Sequence, residues 1–338
     1  MSDAARDGGI FLHHYPSSLF SEKVRLALGV RELAWRSVRI AEIMPRPDLM
    51  PLTGGYRRTP VLQIGADIYC DTGCILPAID LLPGGGPSLF PYGGREWPIA
   101  RWADTAFFQS AVGVVFGRID PAALPPGFVA DREKLSGRPY DLAALRAALP
   151  HSAAQLRGAA AWVERSASAG PRSGFLLGDR VSAADLAVYM VFWFVEHLAP
   201  DALSGIAGPA TRAWMQRVAL IGHGSPHTAT AQEALEAAAQ GSPAAGPGEV
   251  LDAGLAVGEL VAVTPDDYGR VPVVGELLVA DRERIVVRRH DSRVGEVAVH
   301  FPRVGFHLAA APPEMSDHDE TPGAGDDASD AAAGEASR

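Results

Sequence analysis

Apolar positions along the chain follow three successive rhythms. Over residues 9–83, short β-type runs at 10–15, 34–40, 61–64 and 68–70 alternate with helical spacing after Ser18 and after Asp71, the second helix covering 73–82. Pro83-Gly84-Gly85-Gly86-Pro87 ends that helix and opens a linker. From Arg95 to about Gln240 the period becomes helical: Ile99, Trp102, Ala103, Ala106 and Phe107 share one face, and 159–163, 186–195 and 214–220 supply further apolar stripes. Pro125-Pro126, Pro139 and Pro150 predict short helices or a kink between Phe128 and Ser166. After a Gly/Pro/Ala linker over 241–248, the period returns to strands at 257–263, 272–280, 284–290, 296–301 and 305–309. The expected order is an α/β unit (9–83), an all-α bundle (95–240), a small β domain (250–311) and an acidic tail (312–338).

Composition adds limits. The chain has 338 residues, 47% hydrophobic and 21% charged, enough for roughly two to three domains with real cores. Its longest apolar run, 186–195, is far below the roughly 20 residues a membrane span needs, and the N-terminus shows no basic-then-apolar signal pattern, so a cytoplasmic protein without a membrane partner is expected. The net charge of −10 is uneven: residues 314–338 hold eight acids and one base, and the remainder carries only −3. That tail is expected to be disordered. No basic face for nucleic acid is apparent. The two cysteines, Cys70 and Cys74, are expected to be reduced, and His223 and His227 lack the companions of a metal site, so no metal is expected.

Candidate chemistry concentrates at His14-Tyr15-Pro16-Ser17-Ser18-Leu19-Phe20-Ser21, where a buried strand hands over to a helix. Ser18 falls at the N-cap, where backbone N–H groups and the helix dipole stabilise a thiolate held nearby. His14, Tyr15, Ser17 and Ser21 are rivals for that contact. Ser18-Leu19-Phe20-Ser21 occupies the place of the Cys-x-x-Cys of thioredoxin-like folds, and the helix beginning Lys23-Val24-Arg25-Leu26-Ala27-Leu28 resembles the first helix of glutathione transferases. The segment from Arg58-Thr59-Pro60-Val61 to Cys70-Asp71-Thr72 resembles the same family's Pro–strand–turn–strand–acid–hydroxyl segment.

The resemblance implies a thioredoxin-like first domain with a cis bond before Pro60, which presents the Thr59 backbone to the cysteinyl part of glutathione. It implies that Asp71 pairs with the γ-glutamyl ammonium, and that Thr72 and the helix N-terminus hold the carboxylate. The family more often has Glu or Gln followed by Ser, so Asp71 is a shorter arm. Gly178 to Tyr189 resembles the family's N-capping box, with Ser182 and Asp185 starting the central helix of the all-α domain.

Two functions follow. One is a glutathione transferase, a homodimer in which Ser18 donates a hydrogen bond to the sulfur of glutathione, the co-substrate, for attack on an electrophilic small molecule. The other is a transferase-fold binding or scaffold protein without turnover. Trp102, Phe107, Phe108 and Phe116 are either acceptor lining or ordinary core. The resemblance ends near residue 240; the five strands beyond it suggest an SH3-like barrel, separable from the thiol chemistry. Their most ligand-like loop is Thr264-Pro265-Asp266-Asp267-Tyr268-Gly269-Arg270, to which the sequence assigns no role.

Overall fold

A computed structural model of the chain describes residues 9–169 and 174–312. The tail reading therefore lies almost wholly outside the described residues. The N-terminal elements are β1 (Ile10–His14), α1 (Leu19–Val30), β2 (Ala34–Arg39), α2 (Met50–Thr53), β3 (Val61–Ile64), β4 (Asp67–Cys70) and α3 (Thr72–Leu81). Fully buried Val24, Ala27 and Leu28 hold α1 against the sheet, while Ser18 closes its first turn by accepting from Ser21 N.

The helical region contains α4 (Glu96–Trp102), a π-turn at Ala103–Phe107, α5 (Phe108–Phe116), α6 (Phe128–Ser136), α7 (Leu142–Ala147), α8 (Leu149–Ala167), α9 (Ala183–Leu198), α10 (Pro200–Leu203) and α11 (Pro209–Ala219). The proline-rich middle gives separate short helices α6 and α7, and Pro150 is accommodated at the first turn of α8. The capping box of α9 forms with both hydrogen bonds. Asp185 also accepts from Leu176 N (2.8 Å) and from the Trp214 indole (2.9 Å), so one buried carboxylate joins α9, α11 and the preceding loop.

After α11 the helical expectation fails for one stretch. Ser225–Ala229 is a strand, β5, parallel to β2, and α12 (Ala231–Gln240) follows it. Four of its five positions are exposed, so it carries no apolar alternation to read. Gly222 and Gly224 take positive φ on entering it, and Pro226 is tolerated because β5 is an edge strand.

The remaining strands are β6 (Leu260–Pro265), β7 (Val273–Ala280), β8 (Arg284–Asp291), β9 (Gly295–Pro302) and β10 (Phe306–Ala310), close to the ranges expected. They form an antiparallel meander in which β10 returns to β6. The meander does not stand apart. All ten strands make one sheet, ordered β10-β6-β7-β8-β9-β4-β3-β1-β2-β5, in which β9 runs parallel to β4 with Ile68 opposite Val299.

The two faces of β3 explain the layering. Leu62 belongs to the core shared by α1, α3 and the helices, whereas Val61 faces a second core. That second core combines Leu49, Leu52, Tyr56, Ile68 and Cys70 with Val261, Val287, Val299, Phe301 and Phe306. Polar contacts reinforce the join. His300 Nε2 meets Asp67 Oδ1 at 2.8 Å in full burial, and Arg293 reaches Asp48 at 2.8 Å. Burial lowers the His300 pKa even though Asp67 pulls the other way. The C-terminal strands, read from sequence as a separable unit, share both backbone pairing and core with the first domain.

Candidate functional site at one end of the sheet

Register brings the expected residues together. His13 pairs with Val61, and Val61 pairs with Cys70 across the antiparallel β1–β3–β4 ladder. The chain leaving β1, the chain entering β3 and the chain leaving β4 therefore lie at the same sheet end. Ser18, Thr59-Pro60 and Asp71-Thr72 occupy those three positions. The Thr59–Pro60 peptide bond is cis.

Ser18 is buried at the mouth of α1, and its Oγ accepts from Ser21 N at 3.2 Å. Among the described residues no acceptor takes its proton, so the hydroxyl has a hydrogen bond to give. Its rivals are differently placed. Ser17 donates to Glu42 Oε1 at 2.7 Å, and Ser21 is fully enclosed. His14 contacts Ser37 Oγ and the Arg25 guanidinium, and burial first, then the Arg25 charge, lowers its pKa to about 3. It is neutral and engaged. Tyr15 is half-buried, with the Arg46 guanidinium 5.9 Å from its ring centre.

Asp71 caps α3 from a positive-φ conformation (φ 82°), its Oδ1 accepting from Gly73 N at 2.8 Å. Its second oxygen faces Arg58 Nη1 at 3.7 Å. Thr72 is buried in the first turn beside it. On the other flank, Arg46 donates to Thr59 Oγ1 (2.9 Å) and to the carbonyls of Ala41, Glu42 and Arg57. Burial lowers the pKa of Arg46.

Below α1 the fully buried Lys23 is paired with Asp104 of the π-turn at 2.7 Å, tying the helical region to the floor of the site. Burial raises the Asp104 pKa despite Lys23. Phe20, two residues past Ser18, packs edge-to-face on Phe108 at 5.2 Å. Phe116 stacks with Phe128 and meets Tyr140 edge-on. Phe108 and Phe116 are half-buried at the edge of the main core, whereas Phe107 is fully within it, stacked on Trp102 and packed against Phe192.

Other candidates resolve plainly. Cys70 and Cys74 are free and buried, and burial pushes both thiols up. His223 bonds Glu22 Oε1 at 3.0 Å, and His227 lies exposed on β5. Among the described residues no group of three His, Cys, Asp or Glu side chains is placed to hold a metal, and no helix is long and apolar enough to cross a membrane. The residues that sequence reasoning missed are Arg46, Arg58, Asp267 and Tyr268. Arg58 hydrogen-bonds Asp267 and the Tyr268 carbonyl, and its guanidinium lies 4.0 Å from the Tyr268 ring centre. The only signal was the loop composition of residues 264–270.

Comparison with known proteins agrees with this geometry. Residues 12–87 match the glutathione S-transferase N-terminal domain family, and residues 146–217 match the glutathione S-transferase C-terminal domain family. The crystal structure of a GST-like protein from Pseudomonas syringae is 36% identical, covering 89% of this chain and 99% of its own, with a TM-score of 0.72. That coverage exceeds what residues 1–240 can supply, so the likeness extends into the C-terminal strands. FzlA from C. crescentus is 25% identical over 62% of this chain and 87% of its own, TM-score 0.45. A glutathione S-transferase from Rhodospirillum rubrum is 18% identical over 62% and 87%, TM-score 0.47. No curated protein matches the chain.

Proposed function

The chain belongs to the glutathione S-transferase family, and from that premise we propose that it binds glutathione at the β1–β3–β4 sheet end and activates the thiol for attack on an electrophilic small molecule. The observation that carries this reading is the register placing Ser18, cis Thr59-Pro60 and Asp71-Thr72 at one end of the sheet. Each group has a task. The Ser18 hydroxyl, whose O–H is not spent on another acceptor, donates a hydrogen bond to the sulfur, and the N-terminus of α1 adds its positive end, so the thiolate is favoured. The Thr59 backbone pairs with the cysteinyl unit. Thr72 and the α3 N-terminus hold the γ-glutamyl carboxylate, and Asp71 takes the ammonium. Phe20 and Phe108 offer an apolar surface to the electrophile.

The reading includes a cytoplasmic homodimer. Because β9 covers the β4 edge, a second copy docks elsewhere than on that strand. Calorimetry with glutathione tests the site. Asp71→Ala is expected to weaken binding by about 1.5–3 kcal/mol, the scale of a lost charged hydrogen bond. Ser18→Ala is expected to raise the pKa of bound glutathione and to cut turnover roughly ten- to a thousand-fold across a panel of electrophiles. No binding at millimolar glutathione refutes the proposal. Binding without turnover on any electrophile refutes the catalytic half and leaves a transferase-fold binder.

A further inference from the structure

The turn between β6 and β7 reaches the proposed glutathione site from the other half of the sheet. Asp267 and the Tyr268 carbonyl both accept from Arg58 Nη2, and the Tyr268 ring lies under the guanidinium at 4.0 Å. Gly269 N donates to Leu135 O of α6 at 2.6 Å, pinning the turn to the helical region as well. Gly269 takes a positive φ of 59°, and a Cβ there would stand 3.1 Å from the Leu135 side chain, so the turn is held closely on both sides.

Arg58 therefore has two carboxylates in reach and is hydrogen-bonded to one of them. Asp267 and Tyr268 take its Nη2, while Nη1 stays 3.7 Å from Asp71 Oδ2, outside hydrogen-bonding distance. Asp71 Oδ2 is thereby ion-paired with Arg58 without being hydrogen-bonded to it. A carboxylate oxygen hydrogen-bonded by arginine has its lone pairs taken up, whereas one held 3.7 Å from the guanidinium keeps them for an incoming ammonium.

We propose that Asp267 and Tyr268 are positioning residues: they hold Arg58 off Asp71, so that Asp71 is free to receive the α-ammonium of a γ-glutamyl thiol. This rests on the glutathione reading above and deepens it, giving the C-terminal sheet a task at the ligand site. Selectivity is the consequence. The protein should prefer thiols whose γ-glutamyl end carries a free ammonium over otherwise identical thiols lacking it.

The test is calorimetry on the full chain with glutathione and with glutaryl-cysteinylglycine, which lacks only that ammonium. Wild type should bind glutathione more tightly than the analogue. Asp267→Asn lets Arg58 close on Asp71, so glutathione affinity should fall about tenfold while analogue affinity stays unchanged, the scale of one charge-assisted contact. Tyr268→Ala, which removes the ring beneath the guanidinium, should give the same selective loss at smaller size. Adding Arg58→Gln to Asp267→Asn removes the competing cation and should restore the preference for glutathione, a rescue that simple damage to the turn does not allow. Unchanged discrimination in both single variants, or equal weakening of both ligands, overturns the proposal. No heat from wild type with either ligand overturns the glutathione reading and this proposal together.

Discussion

The two halves of the ten-stranded sheet are built from the same alternation yet differ in what their ends do. In the first half, β1 and β4 each hand over to a helix, α1 and α3, so unsatisfied N–H groups and a capping side chain, Ser18 or Asp71, appear at the sheet end. In the second half, β6 to β10 are joined by turns and hairpins, and among the described residues no helix begins at a strand end. The first half can therefore present groups for anions and thiols from its backbone. The second half approaches the proposed site through the β6–β7 turn, with the Asp267 side chain and the Tyr268 ring and carbonyl set on Arg58. What it contributes otherwise is support: β9 closes the β4 edge, and its inner face completes the core over Leu49, Leu52 and Tyr56.

The largest test of that comparison is to remove the second half. A chain ending near Gly241 strips β4 of its neighbour and exposes Val61, Ile68 and Cys70, all fully buried in the complete chain. We expect it to be insoluble, or to lack a cooperative melt, in contrast to the separable barrel read from sequence. A soluble truncation with a sharp melt and unchanged glutathione affinity would show that the shared core is dispensable.

A smaller break leaves the chain whole. Phe301 on β9 is fully buried, 6.0 Å from the Tyr56 ring and 5.3 Å from Phe306, so it touches both halves at once. Phe301→Ala is expected to cost about 3–5 kcal/mol, against about 2–5 for Leu12→Ala in the centre of β1. Both should lower one common transition in chemical denaturation. Two separate transitions in Phe301→Ala would mean that the halves unfold independently.

Which parts of this were legible follows from how far apart the partners lie. The strands β6 to β10 could be read because alternation is local: Val297, Val299 and Phe301 face inward on β9 while Glu296 faces out. Ser18, Pro60 and Asp71 could be read because each lies at a junction marked by its immediate neighbours. The joining of β9 to β4 could not, since a strand's own alternation does not name the strand beside it. Arg58 and Asp267 are 209 residues apart, and nothing near either one signals the other. β5 escaped for a different reason: an exposed edge strand has no apolar face to betray it.

The smallest expected effect concerns acid. In the first half, β1 buries two histidines: His13 against Gln63, its pKa lowered to about 4 by burial, and His14, lowered to about 3 by burial and the Arg25 charge. In the second half His290 and His307 are exposed, and the buried His300 lies at the seam. A histidine whose folded pKa lies below its unfolded value binds a proton more readily when unfolded. Its stabilisation is therefore complete above about pH 6.5 and is lost progressively as pH falls toward the folded values. Between pH 7 and pH 6 the loss for His13 and His14 together should be about 1 kcal/mol. Hydrogen exchange resolved by peptide reads where it falls: protection should decline in β1 and its neighbours as soon as in β7 and β8, because the shared core makes them one unit. The double variant His13→Asn/His14→Gln should be less stable at pH 7 but flatter in its response to acid. A β7–β8 region that keeps full protection at pH 6 while β1 loses it would divide the sheet into two independently stable halves.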